Sequence, residues 1–494
     1  MHRAQRLTHR LDWPAVAAFS LPFILYLLTL APTIYNLDSA ELTTAVATNG
    51  IIRATGYPLY LFLGRIWLNL IPVGDMGYRL NLFSAVCGAT TILLAEYILR
   101  RLRVGVWSRV GALGLLTAVP YFWALSLIAE VYTLHTALMA AVILTLLRWA
   151  DSPTPQRLVW PVFLMALSMG NHAATILLVP GCVWFVMVHG WRGVIRPSTW
   201  LVTVLGAAAG AAIFLYLPWQ YGHNPPFNYA GQFDAYGIFH PVDLQTADGL
   251  LWLITGQTFS GQMFGYKLSE IWPQVVHFIT QLWQAFFVIG FGPGILGAIV
   301  LWRRDWRMAG LLTLMFAANA IFYINYRVVD KDTMFLPAYL IWALWLGLGY
   351  HTLLQWLNLE KARHQHIAQA LLMAAVVLAI GWNWHRVDLS DDWSTREQSE
   401  EILTAVEPNA IIFGWWETIP GIQYLQQVEG QRPDVLAISR FLISGEDMMA
   451  LIEREAAHRP IYINNPPLPF LQTMHVEKVG PLYRLIPISD KQYQ

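Results

Sequence analysis

The stretch LDSAELTTAVATNGIIRATGYPLY, residues 37–60, follows an apolar run at residues 14–31. Asp38 and Glu41 are three residues apart, so a helix sets both on one face. At a membrane surface such a pair is costly, and an ionisable group there is a functional candidate by default. The same spacing suits a helix start, with Asp38 as N-cap and Glu41 reaching back to its backbone amide. Capping and chemistry are both open at this point.

Of 494 residues, 56% are hydrophobic and 13% charged, against roughly 25% charged in a soluble globular chain. This is the composition of a polytopic membrane protein. Lys plus Arg and Asp plus Glu are each 31, so net charge points to no nucleic-acid or acidic partner. Cys87 and Cys182 each sit inside an apolar run and read as buried thiols. The basic N-terminus MHRAQRLTHRLDWP begins like a signal peptide, but no small-residue cleavage site precedes PTIYNLDSAE, so an uncleaved first span is expected.

The fold class expected is mainly α, with about eleven transmembrane segments, several shorter than the roughly 20 residues of a perpendicular span. They lie near residues 14–31, 79–99, 109–128, 131–150, 158–170, 172–190, 199–218, 280–301, 308–325, 334–355 and 366–385. Basic residues fall in alternate connections. Sixteen of them (Arg3, Arg6, Arg10, Arg100, Arg101, Arg103, Arg109, Arg148, Arg157, Arg192, Arg196, Arg303, Arg304, Arg307, Lys361 and Arg363) share one side. Six, namely Arg53, Arg65, Arg79, Lys267, Arg327 and Lys331, share the other. The richer side is cytoplasmic by the positive-inside rule. The N-terminus is then cytoplasmic, and the Asp38 loop and the C-terminal tail are extracytoplasmic.

This divides the chain into a membrane domain at 1–386, with external loops at 32–78 and 219–279, and an extracytoplasmic α/β domain at 387–494. The first loop, with Gly50, Gly56, Pro58 and Gly64 among aromatic and aliphatic residues, is expected to form short helices on the membrane. The second is rich in Trp, Tyr and Phe, which suit the interfacial belt or a sugar or lipid groove. In the tail the runs AIIFG, DVLAIS, PIYIN and LYRLI alternate with helix-like TREQSEEILTAV and GEDMMALIEREAA, which predicts a small, largely parallel sheet. It carries no GxGxxG or P-loop.

Further motifs follow in order: GYPLYLFLGR, RLNLFSAVCGA, SMGNHAATILLVP, NPPFNY with GLLWLITGQTFSG, DKDTMFLPAYLIWALWLGLG and TIPGIQYLQQVEGQRPDV. Together with LDSAEL, this ordered set resembles the membrane family related to protein O-mannosyltransferases, within the GT-C glycosyltransferases. The resemblance implies a GT-C-like fold, a polyprenyl-phosphate-linked sugar as donor, and an acid of the first external loop as catalytic base. One departure is visible: the His-Pro of that family's HPPG stretch is replaced by Ala54 and Thr55 before Gly56.

The chemistry is consistent with this. Transfer from a lipid phosphate needs an acceptor hydroxyl deprotonated as it attacks, which an ionised carboxylate can do. The departing phosphate needs cations, for which Arg is suited by its planar fork. Asp38 is therefore assigned as base, and Glu41 as the residue that orients the acceptor or holds a metal. Arg53, Arg327 and Lys331 are candidates to face the phosphate, and Tyr57 a further substrate contact. His172, at a helix junction after Asn171, either binds substrate or is a hydrogen-bonded packing residue. Asp330 and Asp332 flank Lys331, which reads as local salt pairing or, with the resemblance, as part of the donor site. Glu130 is a further external-side acid, with His135 as a candidate partner. Asp38, Glu41 and a later carboxylate could hold Mg²⁺ or Mn²⁺ through oxygen, but no compact cluster is visible and no metal ligand is assigned. The expected function is transfer of a sugar to an acceptor hydroxyl on a protein, including Ser or Thr, or on a glycan. A transporter or flippase of lipid-linked saccharide and a membrane scaffold are the alternatives. A transporter should carry charges near mid-membrane, whereas most acids here cluster at the external edge.

Overall fold

The structure, a computed structural model, describes residues 12–194, 196–360, 362–466 and 474–487. Arg3, Arg6, Arg10 and Lys361 of the charge pattern lie outside them. Seven helices among the described residues are long and apolar enough to cross a membrane: Met76–Arg101, Val131–Ala150, Ala173–Gly193, Pro197–Tyr221, Trp306–Ile324, Lys331–Leu357 and Arg363–Val387. The other four expected segments appear as shorter helices: Trp13–Leu28, Val106–Thr117, Pro155–Met169 and Phe291–Arg304. Seven of the expected segments are thus long enough to cross by themselves, and four are short, as several were expected to be. Prolines account for part of this. Val119 is extended ahead of Pro120, which ends the third of the expected segments early.

The expected segment at 280–301 is two helices rather than one. Leu268–Ala285 stops, the chain turns through Phe287 and Val288 at positive φ, and Phe291–Arg304 begins after Gly290. A bulky residue at positive φ cannot continue a right-handed helix.

Burial sorts the long helices. The Lys331–Leu357 window is 89% inside the fold, whereas Pro197–Tyr221 and Arg363–Val387 are each 17% inside. An apolar helix with so little protein around it suits a lipid-facing position. Close backbone approach seats Phe291–Arg304 on Leu336–Glu360. A Cβ on Gly297 would lie 1.7 Å from the Trp345 carbonyl oxygen, and one on Gly349 would lie 1.8 Å from that of Pro293. Any side chain at either position would push the helices apart.

The first loop forms two short helices, Asp38–Thr48 and Pro58–Leu70. It is fastened at its start by Asn81, whose Nδ2 donates to the carbonyls of Ala31 and Thr33 at 2.9 and 2.8 Å. The second loop contributes a two-stranded hairpin, Gly231–Phe233 with Phe239–Pro241, and the helix Ala247–Ile254. Ile51 pairs with it: its N–H donates to Phe227 O and its carbonyl accepts from Tyr229 N, each at 2.9 Å.

After Val387 comes a five-stranded sheet in the order Leu436–Ser439, Ile411–Gly414, Ile461–Ile463, Leu482–Pro487, Met474–Val479. The first three strands are parallel, but the last two add antiparallel pairings, so the sheet is mixed rather than largely parallel. The two-residue turn at Gly480 and Pro481 dictates this, because a parallel return needs a crossover of a dozen or more residues. The small domain is seated on the first loop. Ile34 and Ala40 share a buried apolar cluster with Ile402, Ile419, Ile422 and Tyr424. Arg396 reaches Asp75 at 3.5 Å and Glu429 at 2.7 Å.

Candidate active site

The helix carrying the two acids starts at Asp38 itself. Its flanking residue is Leu37, at φ 56°, with no side-chain cap. The capping arrangement is thus not formed, and both carboxylates are free for other partners. Arg53 takes both: one arm of its fork donates to Asp38 Oδ1 and the other to Glu41 Oε2. Asp38 keeps 20% of its side chain exposed and Glu41 keeps none.

The fourth member comes from the C-terminal domain. Trp416 Nε1 donates to Glu41 Oε2 at 2.9 Å, and its ring lies 3.6 Å below the Arg53 guanidinium carbon. Glu41 Oε1 is buried with no partner. Burial raises the Glu41 carboxyl above its usual range, against the pull of Arg53. The four groups form one unit in which Arg53 offsets two acids and a tryptophan covers the cation.

Tyr57 follows Gly56, which has φ +79°. Its ring centroid lies 6.0 Å from that of His172, which is itself 5.4 Å from both Tyr132 and His135. A backbone bond from Leu59 N to Gly170 O, 2.9 Å, ties the first loop to the helix junction that carries His172. His172 Nδ1 accepts from Ala174 N at 3.1 Å, so the ring makes the local hydrogen bond expected of a packing residue. His172, Glu130 and Asp330 all feel the Asp38 charge. Burial, then the charges of Asp38 and Asp330, raise the Glu130 carboxyl well above its usual range, and its Oε2 is buried and unpartnered. His135 Nδ1 contacts Thr175 Oγ1 at 3.4 Å rather than Glu130.

Asp330, Lys331 and Asp332 do not pair with one another. Partial desolvation, then the nearby charge of Asp38, raises the Asp330 carboxyl above its usual range. Lys331 is buried and donates to Gln274 Oε1 at 2.5 Å and Tyr266 OH at 3.2 Å. Asp332 accepts from His277 Nε2 at 3.1 Å. Arg327 is exposed, 5.6 Å from the Tyr266 ring.

The structure therefore gathers Asp38, Glu41, Arg53, Tyr57, His172 and Asp330 in one region, and joins Arg327 and Lys331 through Tyr266. Arg53, expected to face a phosphate, has its fork occupied by carboxylates. Among the described residues no group of three or more His, Cys, Asp or Glu is arranged to hold a metal ion. Sequence reasoning missed Trp416, Tyr266 and Gln274. Trp416 had a readable signal, since it follows the parallel strand Ile411–Gly414, and crevices form at the carboxyl ends of such strands.

Residues 38–194 match the protein O-mannosyl-transferase TMEM260 N-terminal domain. The chain is 24% identical over 476 residues to protein O-mannosyl-transferase TMEM260 of Mus musculus, covering 87% of this chain and 63% of that protein. It is 21% identical over 486 residues to the Dictyostelium discoideum protein O-mannosyl-transferase tmem260, covering 86% of this chain and 56% of that one. It thus spans less than two thirds of these relatives' length. Among solved structures it is similar to ArnT from Cupriavidus metallidurans bound to undecaprenyl phosphate, with TM-score 0.62, 10% identity, and 97% and 99% of the two chains covered. The apo form of ArnT superposes with TM-score 0.58 at 12% identity, covering 95% and 97%. In sequence the chain is thus similar to protein O-mannosyl-transferases, and in fold it is similar to ArnT.

Proposed function

We propose that this chain is an integral membrane glycosyltransferase that moves a sugar from a polyprenyl-phosphate carrier to an acceptor hydroxyl, including Ser or Thr of a protein, on the extracytoplasmic face. The observation that carries this reading is the asymmetry of the two acids on one arginine. Glu41 is sealed, while Asp38 keeps 20% exposure and can meet an acceptor. The relatives' names and the lipid phosphate bound by ArnT support the substrate classes.

In this reading the acceptor oxygen attacks the anomeric carbon as Asp38 takes its proton. The bond from that carbon to the phosphate oxygen breaks, its electron pair leaves with the polyprenyl phosphate, and the anomeric centre inverts. Arg53 orients Asp38, and Lys331 with Arg327 offers positive charge to the departing phosphate.

A short-chain polyprenyl-phosphate hexose and a Thr-containing peptide, supplied to the purified chain, should yield glycopeptide. Arg327→Lys keeps the charge and loses the bidentate fork, so it should raise the KM for donor several-fold and leave that for acceptor unchanged. Absence of both product and donor binding would overturn the function; equal donor KM in the variant would move the phosphate site elsewhere.

The basic-residue asymmetry supports an outward-facing site. Single cysteines in place of Asn69, Gln232 and Glu446, all exposed, should react with an impermeant thiol reagent in intact cells. Labelling of the last only after permeabilisation would put the C-terminal domain on the other side.

A further inference from the structure

Between the second loop and the sheet lies an open cavity of about 600 Å³. None of its lining residues is charged. Amide side chains, among them Asn224, Asn228 and Gln427, share the wall with the rings of Tyr221, Phe227 and Tyr229. Phe227 and Tyr229 stack, with ring centroids 4.7 Å apart. Asn224 and Gln427 are exposed, and no hydrogen bond ties either amide to the described residues.

This inventory selects among ligand classes. A lipid phosphate or an acidic chain would need cations, and the wall has none. An extended peptide could add to the free edge of strand Leu436–Ser439. That edge is already closed: Gln426 Nε2 donates to Val435 O at 2.8 Å, and Gln423 Nε2 donates to Ala437 O at 3.2 Å. What is left is aromatic surface, from the half-buried Tyr221, Phe233 and Phe239 beside the buried stack of Phe227 and Tyr229, next to amides able to donate and accept. This matches a pyranose, which has apolar C–H faces and a rim of hydroxyls.

We infer that this cavity is a binding site for a neutral saccharide. It is tied to the acid cluster through the backbone, since Phe227 and Tyr229 are hydrogen-bonded to Ile51, two residues before Arg53. Its use as an acceptor-side subsite rests on the transferase reading, whereas binding itself does not.

The test uses the full chain in lipid nanodiscs free of sugar-based detergent, without donor. Saturation-transfer NMR is recorded with mannobiose and, separately, with an uncharged Thr-containing peptide. Mannobiose should receive saturation. The double variant Asn224→Gly, Gln427→Ala should weaken its titrated affinity at least tenfold. Glycine tolerates the positive φ of 48° at Asn224, and Gln427 is exposed, so the fold should be kept. No saturation of the disaccharide, or unchanged affinity in the double variant, overturns the inference. Peptide binding lost in that variant, with no disaccharide binding, makes the cavity a peptide site and overturns it equally. Transfer activity without saccharide binding sinks this inference alone; saccharide binding without transfer sinks the transferase reading alone.

Discussion

Asp38→Asn should leave a folded protein that transfers sugar at least about 10²-fold more slowly, the typical contribution of a general base. The substitution is nearly isosteric, and the amide oxygen can still accept from Arg53. Arg53 also keeps the charge of Glu41, so no cation is stranded. The stability cost should be about 1 kcal/mol, the scale of a partly exposed ion pair with its hydrogen bond. The comparison is kcat at saturating donor and acceptor, with thermal unfolding as the folding control. Full activity in the variant would remove Asp38 from the chemistry. A large loss of stability with proportionate loss of activity would make its role structural.

Much of the architecture could be read along the chain because it depends on local pattern. AIIFG, DVLAIS, PIYIN and LYRLI became the strands Ile411–Gly414, Leu436–Ser439, Ile461–Ile463 and Leu482–Pro487. The strand Met474–Val479 was missed, since its MHVEKV run is largely polar and only its partner's turn reveals it. The long span expected at 280–301 failed for a related reason: apolar content was continuous, and only the backbone shows the turn at Phe287 and Val288. At the site, Asp38 and Glu41 could be paired by helical spacing. Their shared arginine could not. Arg53 reaches them through a path that turns at Asn49, at positive φ, and then pairs at Ile51 with Phe227 and Tyr229 of the distant second loop. Trp416 arrives from 375 positions beyond Glu41, and no periodicity carries information over that distance.

The largest stability effect is expected at Arg53. Arg53→Ala leaves Glu41, with no exposed side-chain surface, held only by the Trp416 N–H. Breaking a buried pair by removing one partner costs about 3–5 kcal/mol, because the other charge is stranded. Glu41 can escape part of this by taking a proton. Burial already raises its carboxyl, and losing the cation raises it further. A folded-state pKa above the unfolded one means that the proton's stabilisation is complete below the unfolded value, and is lost as pH rises through the folded one. The deficit of Arg53→Ala against wild type should therefore be smaller near pH 5 than near pH 8. Adding Glu41→Gln removes the titrating group, so the double variant should be more stable than Arg53→Ala at pH 8 and lose the extra pH slope. Trp416→Phe, which keeps a ring beneath the guanidinium but loses the donor, should cost only about 1 kcal/mol. Thermal unfolding of these variants at the two pH values decides it. A pH-independent deficit for Arg53→Ala, or no recovery with Glu41→Gln, would mean that Arg53 supports the loop by packing on Trp416 and not by offsetting the buried acid.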